Sequence, residues 1–138
     1  MAEEVLTGGC QCGKVRYTAR GRPKRAGLCH CLTCRRNTGS AFLAYLVYPR
    51  AKVEIAGATR HFRAPLLLRH FCPECGSPLF LEAEGTDEFD VYVGSLDEAA
   101  RAPGPSYELF TARRLAWLPP FPGLRKSFPG NRPADFEG

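Results

Sequence analysis

Seven cysteines in three tight groups constrain this chain more than any other feature. The groups are Cys10-Gln11-Cys12, Cys29-His30-Cys31-Leu32-Thr33-Cys34 and Cys72-Pro73-Glu74-Cys75. An odd number of thiols cannot all pair within one chain, and clusters this tight read as metal ligands before they read as a disulfide framework. The outer groups both end in Cys-Gly, at Cys12-Gly13 and Cys75-Gly76. A metal knuckle is a tight turn that aims two sulfurs at one point, and a glycine after the second ligand frees the backbone to make it. Two knuckles supply four thiolates, the closed tetrahedral set of a structural zinc. Cys10, Cys12, Cys72 and Cys75 are therefore expected to hold one zinc. That zinc closes a loop of about sixty residues, the situation in which a cross-link helps stability most in principle.

The middle group has three thiols and no cysteine left to complete a shell. Three protein ligands and one vacant position are the pattern of a catalytic zinc. Cys29, Cys31 and Cys34 are thus the candidate catalytic ligands, which makes two zinc ions per chain. Another side chain would close the site, and His30, His61 and His70 are the candidates. His30 lies between two ligands, where its ring reaches the same metal only with strain. His70 is better placed to support the last knuckle or pack behind it.

The length of 138 residues fits one domain, residues 1–138. Glycine (14) and proline (12) favour short strands and many turns. No run approaches the roughly 18 apolar residues of a membrane span. The acidic start lacks a basic-then-apolar leader. The expected compartment is the cytoplasm, where thiols stay reduced.

Hydrophobic patterning fills in the chain between the knuckles. Residues 14–19 alternate apolar and polar, as a half-buried strand does. Residues 25–29 read as a short strand delivering the middle cysteines, and 32–38 as a helical turn or two ended by Gly39. The apolar run 41–48, stopped by Pro49, reads as a buried strand. Residues 52–55 and 59–62 alternate around Gly57 as a hairpin would. Strands are expected over 66–71, 78–84 and 89–93, with a short helix over 97–101. Beyond Pro103, residues 107–110 read as an edge strand and Trp117 as a core anchor. The ordered core spans about residues 8–118, and the tail from Phe128 reads as loose. The fold class is mainly β, built of short antiparallel strands stapled by metal.

Gly9-Cys10-Gln11-Cys12-Gly13-Lys14-Val15-Arg16-Tyr17, Cys29-His30-Cys31-Leu32-Thr33-Cys34-Arg35-Arg36, Gly39-Ser40-Ala41-Phe42 and His70-Phe71-Cys72-Pro73-Glu74-Cys75-Gly76-Ser77-Pro78-Leu79-Phe80 resemble the glutathione-dependent formaldehyde-activating enzyme family. Val93-Gly94-Ser95-Leu96-Asp97 and the late Trp117 also match its layout. The resemblance implies a β-tent fold with zinc between two layers of antiparallel strands. It implies a structural zinc on Cys10, Cys12, Cys72 and Cys75, and a catalytic zinc on Cys29, Cys31 and Cys34. It further implies a carbon–sulfur lyase that joins glutathione and formaldehyde into S-hydroxymethylglutathione, or runs that step backwards. The chain departs from the family layout at Tyr107-Glu108-Leu109-Phe110 and in the proline- and aromatic-rich stretch 119–130.

A thiol at the vacant position is deprotonated by the metal charge, and a thiolate attacks an aldehyde carbon. Arg35 and Arg36 have the fork geometry to pair with a glutathione carboxylate, although a solvated basic surface is the slightly favoured reading of them. Ser40 reads as a hydrogen-bond donor near the site or as a turn residue. His30 reads as an acid–base group, a support behind the ligands or a surface residue.

The alternative class is a zinc-ribbon-like module that binds nucleic acid or protein without catalysis. Its support is a formal charge of +5. Filled sites reduce that charge to about +2 once thiolates and Zn²⁺ are included. The basic residues are scattered and carry little aromatic interleaving, which argues against nucleic acid. A purely structural module also needs only four ligands, so the three extra cysteines favour chemistry. A metal buffer or thiol sensor is the third reading.

Overall fold

The computed structural model describes residues 3–138, and the reading of the extreme N-terminus falls partly on Met1 and Ala2, outside the described residues. The chain is mainly β, in two sheets. The small sheet holds β1 (Val5–Gly9), β2 (Arg16–Arg20) and β5 (Val53–Ala56), in the order β1-β2-β5. The large sheet holds β3 (Arg25–Cys29), β4 (Leu43–Pro49), β6 (Arg60–Arg63), β7 (Leu67–Phe71), β8 (Pro78–Ala83), β9 (Glu88–Tyr92), β10 (Tyr107–Leu109) and β11 (Lys126–Ser127). Its order is β11-β10-β3-β4-β9-β8-β7-β6. One α-helix, α1 (Leu32–Thr38), follows β3 and ends on Gly39 at φ 67°, as the sequence predicts. Among the described residues no helix is long and apolar enough to cross a membrane.

Strand alternation gives the large sheet two different faces. Leu46, Tyr48, Phe89 and Val91 point toward the small sheet and pack with its Leu6, Tyr17, Ala19 and Val53. Tyr45, Val47, Leu81 and Tyr92 point the other way, into a second cluster with Cys29, Cys34 and Tyr107. The first face holds the sheets together. The second faces α1 and the C-terminal segment.

Several expectations are corrected. The first strand, β1, has no predicted counterpart, since two of its five residues are glycines; pairing with β2 specifies it, from Val5 opposite Arg20 to Gly9 opposite Arg16. The pair around Gly57 is not a hairpin: β5 adds to β2, whereas β6 pairs with β7. Gly57 instead carries the chain from one sheet to the other at φ 98°, where a β-carbon would collide with the Lys14 carbonyl oxygen. The strand β10 is not an edge. It lies between β3 and β11, parallel to both, an exception to the otherwise antiparallel pairing. The predicted helix over 97–101 shrinks to a 3₁₀ turn at Ala99–Arg101. Asp97 does not cap it but binds Arg16 and Thr7 of the small sheet. Trp117 is 71% exposed and anchors no core. The tail is packed rather than loose: Phe136 meets Tyr107 edge-on at 5.0 Å, and Phe128 lies 5.1 Å from Phe136.

Candidate metal centre

The two outer knuckles converge. Cys10 and Cys12 lie between β1 and β2 of the small sheet, and Cys72 and Cys75 between β7 and β8 of the large one. Their four sulfurs lie within 4.8 Å of one another. Cys10 Sγ is 3.6 Å from Cys12 Sγ, which is 3.8 Å from Cys72 Sγ. Four sulfurs each about 2.3 Å from one zinc sit about 3.8 Å apart, so the quartet fits that ion. Both knuckle glycines are left-handed, Gly13 at φ 82° and Gly76 at φ 78°. Each donates its N–H back to the first cysteine's carbonyl, at 3.1 and 2.9 Å. The sulfurs also accept backbone N–H groups, Cys10 from Val15 at 3.2 Å and Cys72 from Glu74 at 3.4 Å. Hydrogen bonds from Ser77 bring the Cys75 thiol down to about 5. Such donors favour the thiolate that a metal requires.

The middle cysteines form a second cluster, on the large sheet alone. Cys29 ends β3, Cys31 is the N-cap of α1, and Cys34 lies inside that helix. Their sulfurs lie within 4.8 Å of one another, and among the described residues no histidine or carboxylate joins them. Cys31 Sγ accepts the N–H of Cys34 at 3.3 Å, so the cap that starts the helix also aims a ligand. Hydrogen bonds from Cys29 and then Cys34 hold the Cys31 thiol below its ordinary range.

Arg69, on β7, is the residue that the sequence analysis missed here. It is 3% exposed, and its Nη1 and Nη2 both lie 3.7 Å from Cys34 Sγ. Burial alone would lower its pKa, but the neighbouring Cys34 sulfur outweighs this and raises it. A buried guanidinium is costly without an anion. A Cys34 thiolate, the form in which a metal would hold that sulfur, supplies an anion directly beside it.

The trio opens onto a cleft of about 380 Å³ on the second face of the large sheet. Tyr45 and Tyr107 wall it, with their hydroxyls joined at 2.9 Å. Phe110 stands at the same wall, with a φ of 57° that among the described residues no other non-glycine shares in sign. Arg25, Asp90 and Arg132 line the cleft as well. Arg25 is bound at both ends by Glu88, at 3.1 and 2.7 Å.

The other expected site residues go elsewhere. Arg35 and Arg36 do not line this cleft; Arg35 Nη1 donates to the Arg113 carbonyl at 3.4 Å. The structure therefore gives no support to their contacting a glutathione carboxylate there. Ser40 lines a separate cleft of about 550 Å³ that no cysteine lines. His61 and His70 lie against each other with ring centroids 5.2 Å apart and planes tilted by 47°. His70 binds Thr59 and Glu82, each at 2.8 Å, so neither histidine caps the trio.

His30 is fully buried, not a surface residue, and its Nε2 donates to Glu108 at 2.8 Å. Glu108 also accepts from Arg114 at 2.6 Å and Ser127 at 2.8 Å. Burial would raise the pKa of Glu108, but these bonds together hold it below the usual carboxylate range. The His30 N–H donates to Leu109 at 3.0 Å. The residue between two cysteines is thereby fixed to β10 through both backbone and side chain.

A family model described as glutathione-dependent formaldehyde-activating enzyme matches residues 5–113. A crystal structure of a Rhodobacter sphaeroides protein is similar in fold, with a TM-score of 0.52 at 21% identity. The match covers 66% of this chain and 87% of that one. No curated protein sequence matches.

Proposed function

The chain belongs to the glutathione-dependent formaldehyde-activating enzyme family, and on that premise we propose that it is a zinc-dependent carbon–sulfur lyase-like enzyme acting on a thiol–aldehyde adduct, of the S-(hydroxymethyl)glutathione synthase kind. The observation that carries this reading is the trio of sulfurs at the head of a cleft, within 4.8 Å of one another and with no fourth protein ligand among the described residues.

In this reading Cys10, Cys12, Cys72 and Cys75 hold a structural zinc, and Cys29, Cys31 and Cys34 a catalytic one. The second zinc, when bound, supplies a positive charge that favours the thiolate form of an entering thiol. The protein's own residues set the rest. The α1 N-cap fixes the direction of Cys31, and His30 and Glu108 fix the backbone around it. Arg69 balances the negative charge of the trio. Leu43, Leu109 and the two tyrosines present an apolar wall, which limits water around the reacting carbon. In the forward direction the thiol sulfur bonds to the aldehyde carbon, the carbonyl π pair moves to oxygen, and that oxygen takes a proton. The reverse step breaks the same carbon–sulfur bond. A reducing cytoplasm suits seven cysteines of which none is in a disulfide.

The test combines metal content and turnover. Elemental analysis of protein purified with reductant is expected to give about two zinc ions per chain. Exchange spectroscopy is expected to show faster interconversion of glutathione, formaldehyde and adduct. A value near one zinc with three freely reactive thiols, or two zinc ions without faster exchange, overturns the reading.

A further inference from the structure

The cleft holds a carboxylate that nothing so far uses. Asp90 lies in the middle of β9, between Phe89 and Val91, which are both fully buried in the core between the sheets. Alternation therefore turns Asp90 to the cleft face. The strand register sets Arg69, Leu81, Asp90, Val47 and Arg25 in one row across five strands. Two arginines thus flank the carboxylate, and both are engaged elsewhere: Arg69 lies against the Cys34 sulfur, and Arg25 is held by both Glu88 oxygens. Arg132 also leans to Glu88, at 3.8 Å. Asp90 is left with no ion pair among the described residues. Burial first, and then the Glu88 charge, raise its pKa to about 7 against the pull of the three arginines. The cleft therefore has one acidic position that lacks its cation.

Its distance from the trio matches a small peptide thiol. Cys29 lies opposite Leu43, and Asp90 opposite Val47, two strands and four residues away. The two backbones are therefore about 16 Å apart by strand spacing and rise, and because both side chains stand on the same face their tips stay about as far apart. In an extended γ-glutamyl-cysteine unit the sulfur and the α-ammonium are about 10 Å apart, and about 4 Å between sulfurs sharing a metal at one end and about 3 Å of hydrogen bond at the other bring its reach to about 16 Å.

We propose that Asp90 is a specificity residue that receives the ammonium group of the thiol substrate, so that the cleft selects thiols carrying a free α-amino group. This rests on the reading that a thiol enters the three-cysteine cleft. Asp90 is too far from the sulfurs to touch the reacting atoms, so its part is recognition. Asp90 is partly exposed to the open cleft, so an arriving ammonium takes the place of water beside it, whereas a ligand that lacks this group covers the carboxylate without giving it a partner.

The experiment is calorimetric titration of the zinc-loaded protein with glutathione and with the analogue lacking only its α-amino group. The wild type is expected to bind glutathione at least ~10-fold more tightly. Asp90→Asn is expected to lose that preference by weakening glutathione alone, with zinc content unchanged. Equal binding of the two thiols by the wild type overturns the proposal and leaves the thiol reading standing. Retained preference in Asp90→Asn overturns it as well. Binding of neither thiol overturns both. The wild-type comparison decides the matter even if Asp90→Asn fails to fold.

Discussion

Replacing Glu108 by glutamine tests whether the site depends on the strand that carries it. Glu108 is 1% exposed and accepts from Arg114, Ser127 and His30 at 2.6, 2.8 and 2.8 Å. Glutamine keeps one acceptor oxygen for Arg114 and Ser127 and turns the other into a donor, so the bond to His30 survives only if the imidazole changes tautomer to accept at Nε2. The charge beside Arg114 also disappears. Hydrogen bonds to charged groups are worth about 1.5–3 kcal/mol each, and breaking a buried pair costs about 3–5 kcal/mol. The Arg114 side chain is 21% exposed, so water takes up part of the loss. A destabilisation of about 3 kcal/mol follows, at the lower end of that range. For a chain of 138 residues the entropy of unfolding is about 0.3 kcal/mol per degree, which makes the expected fall in Tm about 10 °C. Calorimetry of zinc-loaded wild type and variant measures it. Because the folded-state pKa of Glu108 is depressed, its contribution is present above about pH 4.5 and is lost as pH falls through the folded value, so the gap between the proteins narrows in acid. The variant is also expected to release one zinc to a chelator more readily than wild type, since His30 separates Cys29 from Cys31. A fall of less than about 3 °C with unchanged zinc retention would show that the network does not hold β10 to the site.

Cys75→Ser is expected to damage folding, because its cluster ties the small sheet to the large one, whereas Cys34→Ser keeps the fold and loses one zinc and adduct exchange; near-ultraviolet circular dichroism and metal analysis separate the two, and equal unfolding would refute the division. Gly57→Ala places a side chain at φ 98° and against the Lys14 carbonyl, so urea unfolding is expected to show a loss of at least ~3 kcal/mol, and a loss under about 1 kcal/mol would contradict the crossing described. Asp97 is held at about 2 by its bonds to Arg16 and then Thr7, below its ordinary 3.8, so its contribution is full above pH 4 and fades toward pH 2. Asp97→Asn is therefore expected to flatten acid unfolding in that window, modestly because the Arg16 and Asp97 side chains are 46% and 39% exposed, and an unchanged acid limb would count against the link.

The cysteine spacing made both sulfur clusters legible because knuckle chemistry is local. A short turn, a glycine and a pair of sulfurs are all encoded within four residues. Helix α1 was legible for the same reason, with its limits marked by Cys31 and Gly39. What stayed hidden depends on pairing between distant strands. Nothing near Gly57 tells that β5 and β6 part into different sheets. Glu108 reads as a surface charge in a short strand until β3 and β11 close over both sides of it. Arg69 and Asp90 carried the one signal available, a charge within an apolar strand at an inward-facing position. Reading it requires knowing that both faces of the large sheet are covered. Arg35 and Arg36 show the converse: closeness in sequence to Cys34 does not by itself place a side chain along the cleft, since Cys34 is the buried residue of their helix and neither arginine lines that cleft.

The two clusters are linked through strand parity. The register of β7 and β8 shifts between His70 and Phe71, so that Leu79 and Phe80 both enter the core between the sheets. This irregularity lies next to Cys72, where the knuckle fixes the turn between the two strands. A slip of one residue in β7 would turn Arg69 away from the cleft and bring His70 into its place. The same slip in β9 would carry Asp90 into the core and Phe89 into the cleft. The β9 slip buries a charge among Leu46, Tyr48 and Phe80, and the β7 slip removes the arginine from Cys34, so an error of register costs the site. In the proposed reading, a metal on the quartet would pin the turn from which β7 and β8 are measured, and with it the register in which Arg69 faces the trio.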